Sequence, residues 1–283
     1  MKMKKNRFFL YALSVVVAMG MTACGGSDDN GGETPLPEKT VSLSSSDLVE
    51  GKGYYDGTLY YAVTSEDSKE MEVKAADAGI TAAEIPHKVS IDGVVYSVTS
   101  IGMSAFAENQ KLTSVTIPNS VKRIRNVAFG NCKQLSSVTI PESVTEIREN
   151  AFVACEALTS IVIPKGVTKL ETNTFAQCTS LKSVTIPEGM TEIGLGCFQK
   201  CSSLTSITFP ASLKTIRGYS FMNCSSLADI HCIGTTPPTC GAYEYPFSNT
   251  KIVNLYIPKG CKEAYQAVSP WEGLWNSVKV IEE

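Results

Sequence analysis

Ser114-Val115-Thr116-Ile117-Pro118 returns unchanged at Ser137 to Pro141 and at Ser183 to Pro187, and near copies end at Pro164 and Pro210. The five prolines stand at one constant interval, so the spacing belongs to an architecture. Val115 and Ile117 alternate with Ser114 and Thr116, which is the period-two pattern of a short strand with one face turned inward. Proline has no N–H to give to an interior ladder, so each one marks where pairing stops and the chain turns out of the sheet.

Further columns share the interval. Phe106, Phe129, Phe152, Phe175, Phe198 and Phe221 form one; Leu112, Leu135, Leu158, Leu181, Leu204 and Leu227 another. Val115, Val138, Ile161, Val184, Ile207 and Ile230 make a third, and Ile117, Ile140, Ile163, Ile186, Phe209 and Cys232 a fourth. A fifth is Ile101, Ile124, Ile147, Leu170, Ile193 and Ile216. A period of 23 falls in the window of about 20 to 29 residues typical of leucine-rich repeats, and L-x-x-V-x-I matches their strand segment. The expected fold class is therefore a leucine-rich repeat solenoid, in which stacked coils form a parallel β-sheet with a rise of about 4.8 Å per repeat. The A-F-x-x-C portion lacks a β-branched run and predicts a short helical or 3₁₀ turn. The position after the strand holds proline where familiar repeats of this class hold asparagine. Some other hydrogen-bonding arrangement must replace the asparagine ladder.

Weaker copies extend the register. Ile80-x-x-Ala83-x-Ile85-Pro86 and Ile252-x-x-Leu255-x-Ile257-Pro258 both fit, so starts at Ile80, Leu112, Leu135, Leu158, Leu181, Leu204, Leu227 and Ile252 predict eight strands in one sheet. An Asp92-Gly93 hairpin between Val89 and Val98 accounts for the longer first interval. Terminal coils need caps. Tyr54 to Tyr61 reads as a hairpin about Asp56-Gly57 and Met71 to Ala75 as a further strand, giving a β-hairpin N-terminal cap. A short helix at Lys262 to Val268, the buried Trp271 and Trp275 segment and a strand at Val278 to Ile281 give a mixed C-terminal cap.

The chain of 283 residues divides as 1–23 signal peptide, 24–40 lipid-attached flexible tether, 41–97 N-terminal cap with a degenerate first repeat, 98–232 repeats, and 233–283 last repeat and C-terminal cap. Lys2, Lys4, Lys5 and Arg7 precede an apolar run from Phe8 to Met21, too short to span a bilayer comfortably and typical of an export signal. Met21-Thr22-Ala23-Cys24 resembles the lipobox of bacterial lipoproteins, which implies cleavage before Cys24 and acylation of its thiol; the competing reading is an ordinary signal peptide cut at Ala23. Cleavage leaves 21 Lys and Arg against 28 acids. The following GGSDDNGGETPLPEK has a tether's composition. Its Asp28, Asp29 and Glu33 resemble the acidic signal that sends Bacteroidetes lipoproteins to the outer face of the outer membrane.

The unit LxSVTIPxSVxxIxxxAFxxC resembles the BspA-like, treponemal-type leucine-rich repeat of bacterial surface proteins. The resemblance runs from about Tyr54 to the C-terminus and takes in Leu255 to Tyr265 and the Trp271 cap. It implies a surface-exposed protein that binds a macromolecular partner, host matrix or another cell's surface, in adhesion. Repeat positions are scaffold, so no site residue carries over from it.

Catalysis has little to work with. The two histidines are His87 and His231; His231 beside Cys232, with Cys240 and Cys261 later, matches no standard ligand spacing. Neither a catalytic nor a metal site is expected, no cofactor is implied, and a Cys232–Cys240 disulfide is the structural alternative. Cys132, Cys155, Cys178, Cys201 and Cys224 follow the period and read as reduced core thiols. With 25 basic and 28 acidic residues overall and no basic patch, nucleic acid is excluded as a partner. Membrane contact is expected through the N-terminal lipid alone, and a monomer is expected.

The candidate binding face is the outward pair of each strand: Ser114, Thr116, Ser137, Thr139, Ser160, Val162, Ser183, Thr185, Ser206 and Thr208. Such rows can hydrogen-bond an extended protein surface or a glycan, although threonine also simply suits exposed strands. Glycan binding for nutrient capture is the runner-up, motivated by this face together with Tyr243 and Tyr245. Lys122, Arg123 and Arg125 in one coil and Glu146, Arg148 and Glu149 in the next suggest a mixed, solvated edge without a pocket.

Overall fold

A computed structural model describes residues 39–241 and 244–283. All eight expected strands form: Ala82–Glu84, Ser114–Thr116, Ser137–Thr139, Ser160–Val162, Ser183–Thr185, Ser206–Phe209, Asp229–Cys232 and Asn254–Ile257. Lys279–Glu282, expected only as part of the cap, joins the same row in parallel against Asn254–Ile257. Equivalent residues sit opposite each other, as in Ser114 with Ser137 and Ser206 with Asp229.

One continuous sheet does not form. The row is hydrogen-bonded in groups of three, two and four strands. Both interruptions fall where an inward Val is followed one coil on by an inward Ile, Val138 by Ile161 and Val184 by Ile207, and both valines are only half-buried. A three-residue strand offers few ladder bonds, each worth about 1 kcal/mol net, so side-chain packing decides whether they close.

A second ladder appears where the sequence indicated only a core column. Arg123–Ile124 pairs with Ser100 and Ile101 on one side and with Glu146–Ile147 on the other, and Lys169–Leu170, Glu192–Ile193 and Thr215–Ile216 pair likewise. The inward Ile or Leu is buried and its neighbour is at least partly exposed, except Ser100, which is buried.

The A-F-x-x-C segment turns without becoming a helix. Bonds of 3₁₀ type are present, such as Gly130 N–H to Val127 O at 2.9 Å and Cys132 N–H to Phe129 O at 3.2 Å. Left-handed residues recur at two positions of every coil, for example Val127 (φ 59°) and Asn131 (φ 59°), then Asn150 (φ 57°) and Ala154 (φ 56°), and stop these bonds from propagating. The freed N–H groups reach forward instead. Phe106 donates to Ala128 O at 2.8 Å, Phe129 to Ala151 O at 2.8 Å, Phe152 to Thr174 O at 2.9 Å and Phe198 to Ser220 O at 2.7 Å, a third intercoil ladder.

This ladder stacks the phenylalanines. From Phe106 to Phe221 successive ring centroids lie 5.1, 5.0, 5.3, 5.6 and 5.4 Å apart, and Phe247 continues the column at 5.6 Å. The leucine column is wholly buried.

At the N-terminal end, Gly53–Tyr55 and Leu59–Ser65 form the expected hairpin. Asp56 accepts from the Thr58 and Leu59 amides and from the Tyr61 hydroxyl. Lys88–Ile91 and Val94–Ile101 form the Asp92-Gly93 hairpin, and Thr40–Leu43 adds to it in parallel. At the other end lie short helices Lys262–Gln266 and Trp271–Leu274. Trp271 is fully buried and its indole N–H donates to Pro238 O at 2.7 Å; Trp275 packs half-buried against the core. Among the described residues no helix is long and apolar enough to cross a membrane.

Phe152→Ala removes a ring stacked on both sides and should cost about 3 to 5 kcal/mol in urea denaturation. Thr185→Ala, on the exposed face, should stay within about 0.5 kcal/mol of the parent.

Candidate functional site on the outer strand face

Alternation along each strand sends Val115 and its equivalents inward and leaves two outward columns. Thr116, Ser137, Thr139, Ser160, Val162, Ser183, Thr185, Ser206 and Thr208 are exposed and Ser114 is half-buried, so the predicted face is brought together as a surface. Pairing register aligns Ser114 with Ser137, Ser160 with Ser183, and Thr116 with Thr139. The hydroxyls of these residues have no hydrogen-bond partner among the described residues. The column just before them differs: Thr113 donates to Thr81 O at 2.8 Å and Ser136 to Thr113 O at 3.3 Å. Two hydroxyls at the N-terminal end of that column staple coils, while the outward pair is left to solvent or a ligand. Val162, 59% exposed, interrupts the threonine column.

The columns change chemistry at their C-terminal end. Ser206 is followed in register by Asp229 and Asn254, and Thr208 by His231 and Tyr256. Asn254 Nδ2 donates to Asp229 Oδ1 at 2.7 Å, and the His231 and Tyr256 rings stack 4.1 Å apart at 7°. The sequence held the signal, since His231 follows Thr208 by one full period.

His231 and Cys232 leave opposite faces of their strand, so they do not converge on a reaction centre. Cys232 is buried, and that burial raises its thiol to about 12. The Cys232–Cys240 disulfide does not form; both thiols are free, and Cys240 Sγ lies 3.3 Å from Ser269 Oγ. Among the described residues no group of three or more His, Cys, Asp or Glu side chains is placed to hold a metal ion.

The cysteine ladder supplies the bonds that an asparagine ladder supplies elsewhere. Each thiol donates to the carbonyl of the Phe in the preceding coil: Cys132 to Phe106 at 3.0 Å, Cys155 to Phe129 at 3.2 Å, Cys178 to Phe152 at 3.3 Å, Cys201 to Phe175 at 3.3 Å and Cys224 to Phe198 at 3.1 Å. These are weak donors, and each adds a second bond to a carbonyl that already accepts an amide within its own turn, as Phe129 O does from Cys132 N–H. Desolvation pushes the thiols of Cys132, Cys178 and Cys224 up to about 12 and those of Cys155 and Cys201 well above the ordinary range.

The charged edge is an ion-pair column. Arg123 meets Glu70 at 3.6 Å, Arg125 meets Glu72 at 3.5 Å, Arg148 meets Glu146 and, at 3.0 Å, Glu171, and Glu192 takes both Lys169 at 3.3 Å and Arg217 at 3.0 Å. These partly exposed pairs contribute little each. Contrary to the sequence expectation, a shallow depression of about 450 Å³ does open along this edge, between Arg148, Lys169, Glu192 and Arg217, its cations already paired. Tyr245 is 60% exposed but stands beside the turn ladder, where Pro246 O accepts the Phe221 amide, and is not part of the hydroxyl face. Tyr243 and Cys24 lie outside the described residues.

Comparison with known proteins agrees with this geometry. Residues 99–228 and 154–268 match the model of the BspA type leucine rich repeat region, in six copies. A leucine-rich repeat protein from Bacteroides ovatus is 31% identical, with 72% of this chain and 60% of that one covered and a TM-score of 0.55. The chain thus spans less than two thirds of that protein. The Treponema pallidum leucine-rich repeat protein has the same fold at 23% identity and a TM-score of 0.64, with 82% of this chain and 100% of that one covered. No curated protein matches.

Thiol titration of the folded chain at pH 8 should label Cys240 and Cys261, which are half-exposed, and spare the ladder until denaturant is added. Because the folded chain keeps its ladder protons above the ordinary thiol value of 9.0, folding stability should fall as pH rises from about 9 towards 12. The unfolded chain releases protons in that window while the folded one retains them. Cys178→Ala should make the decline measurably shallower in denaturation series across that range.

Proposed function

Since the chain belongs to the BspA-type leucine-rich repeat family, we propose that it is a lipid-anchored cell-surface protein whose outer strand face binds a macromolecular partner in adhesion, a host matrix or cell-surface protein. Leucine-rich repeat proteins are typically binding scaffolds rather than enzymes. The carrying observation is the double column of outward hydroxyls that bond nothing among the described residues. An exposed polar surface of this breadth, uncharged and rigidly spaced, suits many hydrogen bonds of modest strength to an extended partner. Its edges carry paired charges that add specificity more than affinity.

The address rests on residues 1–24, where a cationic start, an apolar run and Cys24 point to export and acylation, and Asp28, Asp29 and Glu33 point to the outer face of the outer membrane. The chain then extends from the membrane on a Gly- and acid-rich tether and acts as a monomer.

Binding of the whole chain to immobilised matrix proteins tests the partner. Thr139→Lys with Thr185→Lys places two charges on the face without touching the core, and should weaken adhesion by roughly tenfold or more with little loss of stability; unchanged adhesion would count against this face. Cys24→Ala should abolish lipid labelling and release the chain from membrane fractions, and persistence of both would refute the anchor.

A further inference from the structure

We propose that the last two coils carry a binding site for a neutral carbohydrate ring, built on the stacked pair His231 and Tyr256. The site abuts the C-terminal end of the hydroxyl face but does not rest on that face's role in adhesion. Strand positions that face water gain nothing for the core from a histidine and a tyrosine. Both rings stay partly exposed, they stack 4.1 Å apart, and neither the imidazole nitrogens nor the phenol hydroxyl bonds another described residue. Their polar atoms face solvent and are free to bond a ligand laid against the stacked pair.

The surroundings narrow what that occupant is. Ile233 takes the place of the recurring proline, spends its N–H on Phe209 O at 3.0 Å and remains 54% exposed. With Thr208, His231, Tyr256, Pro258 and Glu283 it lines an open depression of about 450 Å³, within the range of roughly 300 to 1,000 Å³ usual for small-ligand sites. No Lys or Arg lines it, and the Glu283 carboxylate opposes anions, so phosphate, sulfate and acidic peptides are disfavoured. The strands Asp229–Cys232 and Asn254–Ile257 that carry the two rings are each flanked on both sides, so an extended peptide has only the outer edge of Lys279–Glu282 to pair with, one strand beyond the rings. A pyranose fits the remaining chemistry. Its C–H groups pack on the exposed Ile233 and along the edges of the stacked pair, whose facing sides cover each other, while its hydroxyls meet the threonine hydroxyl, the phenol, the imidazole and the carboxylate.

Array screening of the whole chain against neutral hexose and N-acetylhexosamine oligosaccharides, with calorimetry on the strongest binder, tests the site. Saturable binding is expected. Tyr256→Ala and His231→Ala should each weaken it by roughly tenfold, and Tyr256→Phe by no more than about threefold. Thr208→Arg fills the depression from an exposed position and should abolish binding while the circular-dichroism melt stays unchanged. Binding should survive the Thr139→Lys, Thr185→Lys pair that tests adhesion. Failure of every neutral oligosaccharide to bind, or binding that neither Thr208→Arg nor Tyr256→Ala alters, overturns the proposal.

Discussion

Everything in this fold depends on the forward hydrogen bonds of the A-F-x-x-C turns. Each coil contributes strands of only two to four residues, too short to bind its neighbours firmly. Left-handed residues at two places in each turn free the amides two places before, at and two places after the Phe, and the next coil accepts all three. That connection fixes the distance between coils, and the distance sets the ring spacing of the phenylalanine column. Strand pairing then closes where inward side chains permit and lapses beside Val138 and Val184 without breaking the stack.

The strands are legible because their signal is redundant: alternation, β-branching and a terminal proline coincide five times at one interval. The second ladder is not. A two-residue strand has a single inward position, so Ile124 or Ile147 looks like an isolated core residue. The turns mislead for a related reason. Asn131, Asn150, Asn173 and Asn223 tolerate the left-handed region and hint at it, whereas Val127 and Tyr219 hold the same conformation against their own preference. Burial of the cysteines follows from their period, but their donor role does not, because it depends on where the preceding coil leaves its Phe carbonyl.

For the candidate sites the division is similar. Which of Ser114 to Thr208 face outward follows from alternation alone. That His231 and Tyr256 stand in one column follows from the starts at Leu227 and Ile252, in spite of the two-residue insertion between them; that their rings stack face to face does not. Tyr245, conspicuous as an exposed aromatic, belongs to the turn side. Residue type draws attention to the wrong tyrosine and register identifies the right one.

The turn ladder also has a direction. Its amides point from each coil to the next, while the second ladder runs back, as in Arg148 N–H to Ile124 O and Arg217 N–H to Ile193 O. The two ends of the solenoid therefore make unlike demands. The C-terminal cap must offer carbonyls, and it does so through Pro246 and Ser248, which accept from Phe221 and Asn223; a proline is acceptable there because no donor is needed. Internal coils are interchangeable and the caps are not. Whole units can be gained or lost between equivalent positions with both ends still matched, which makes length the most freely variable property of the molecule and its two caps the most constrained.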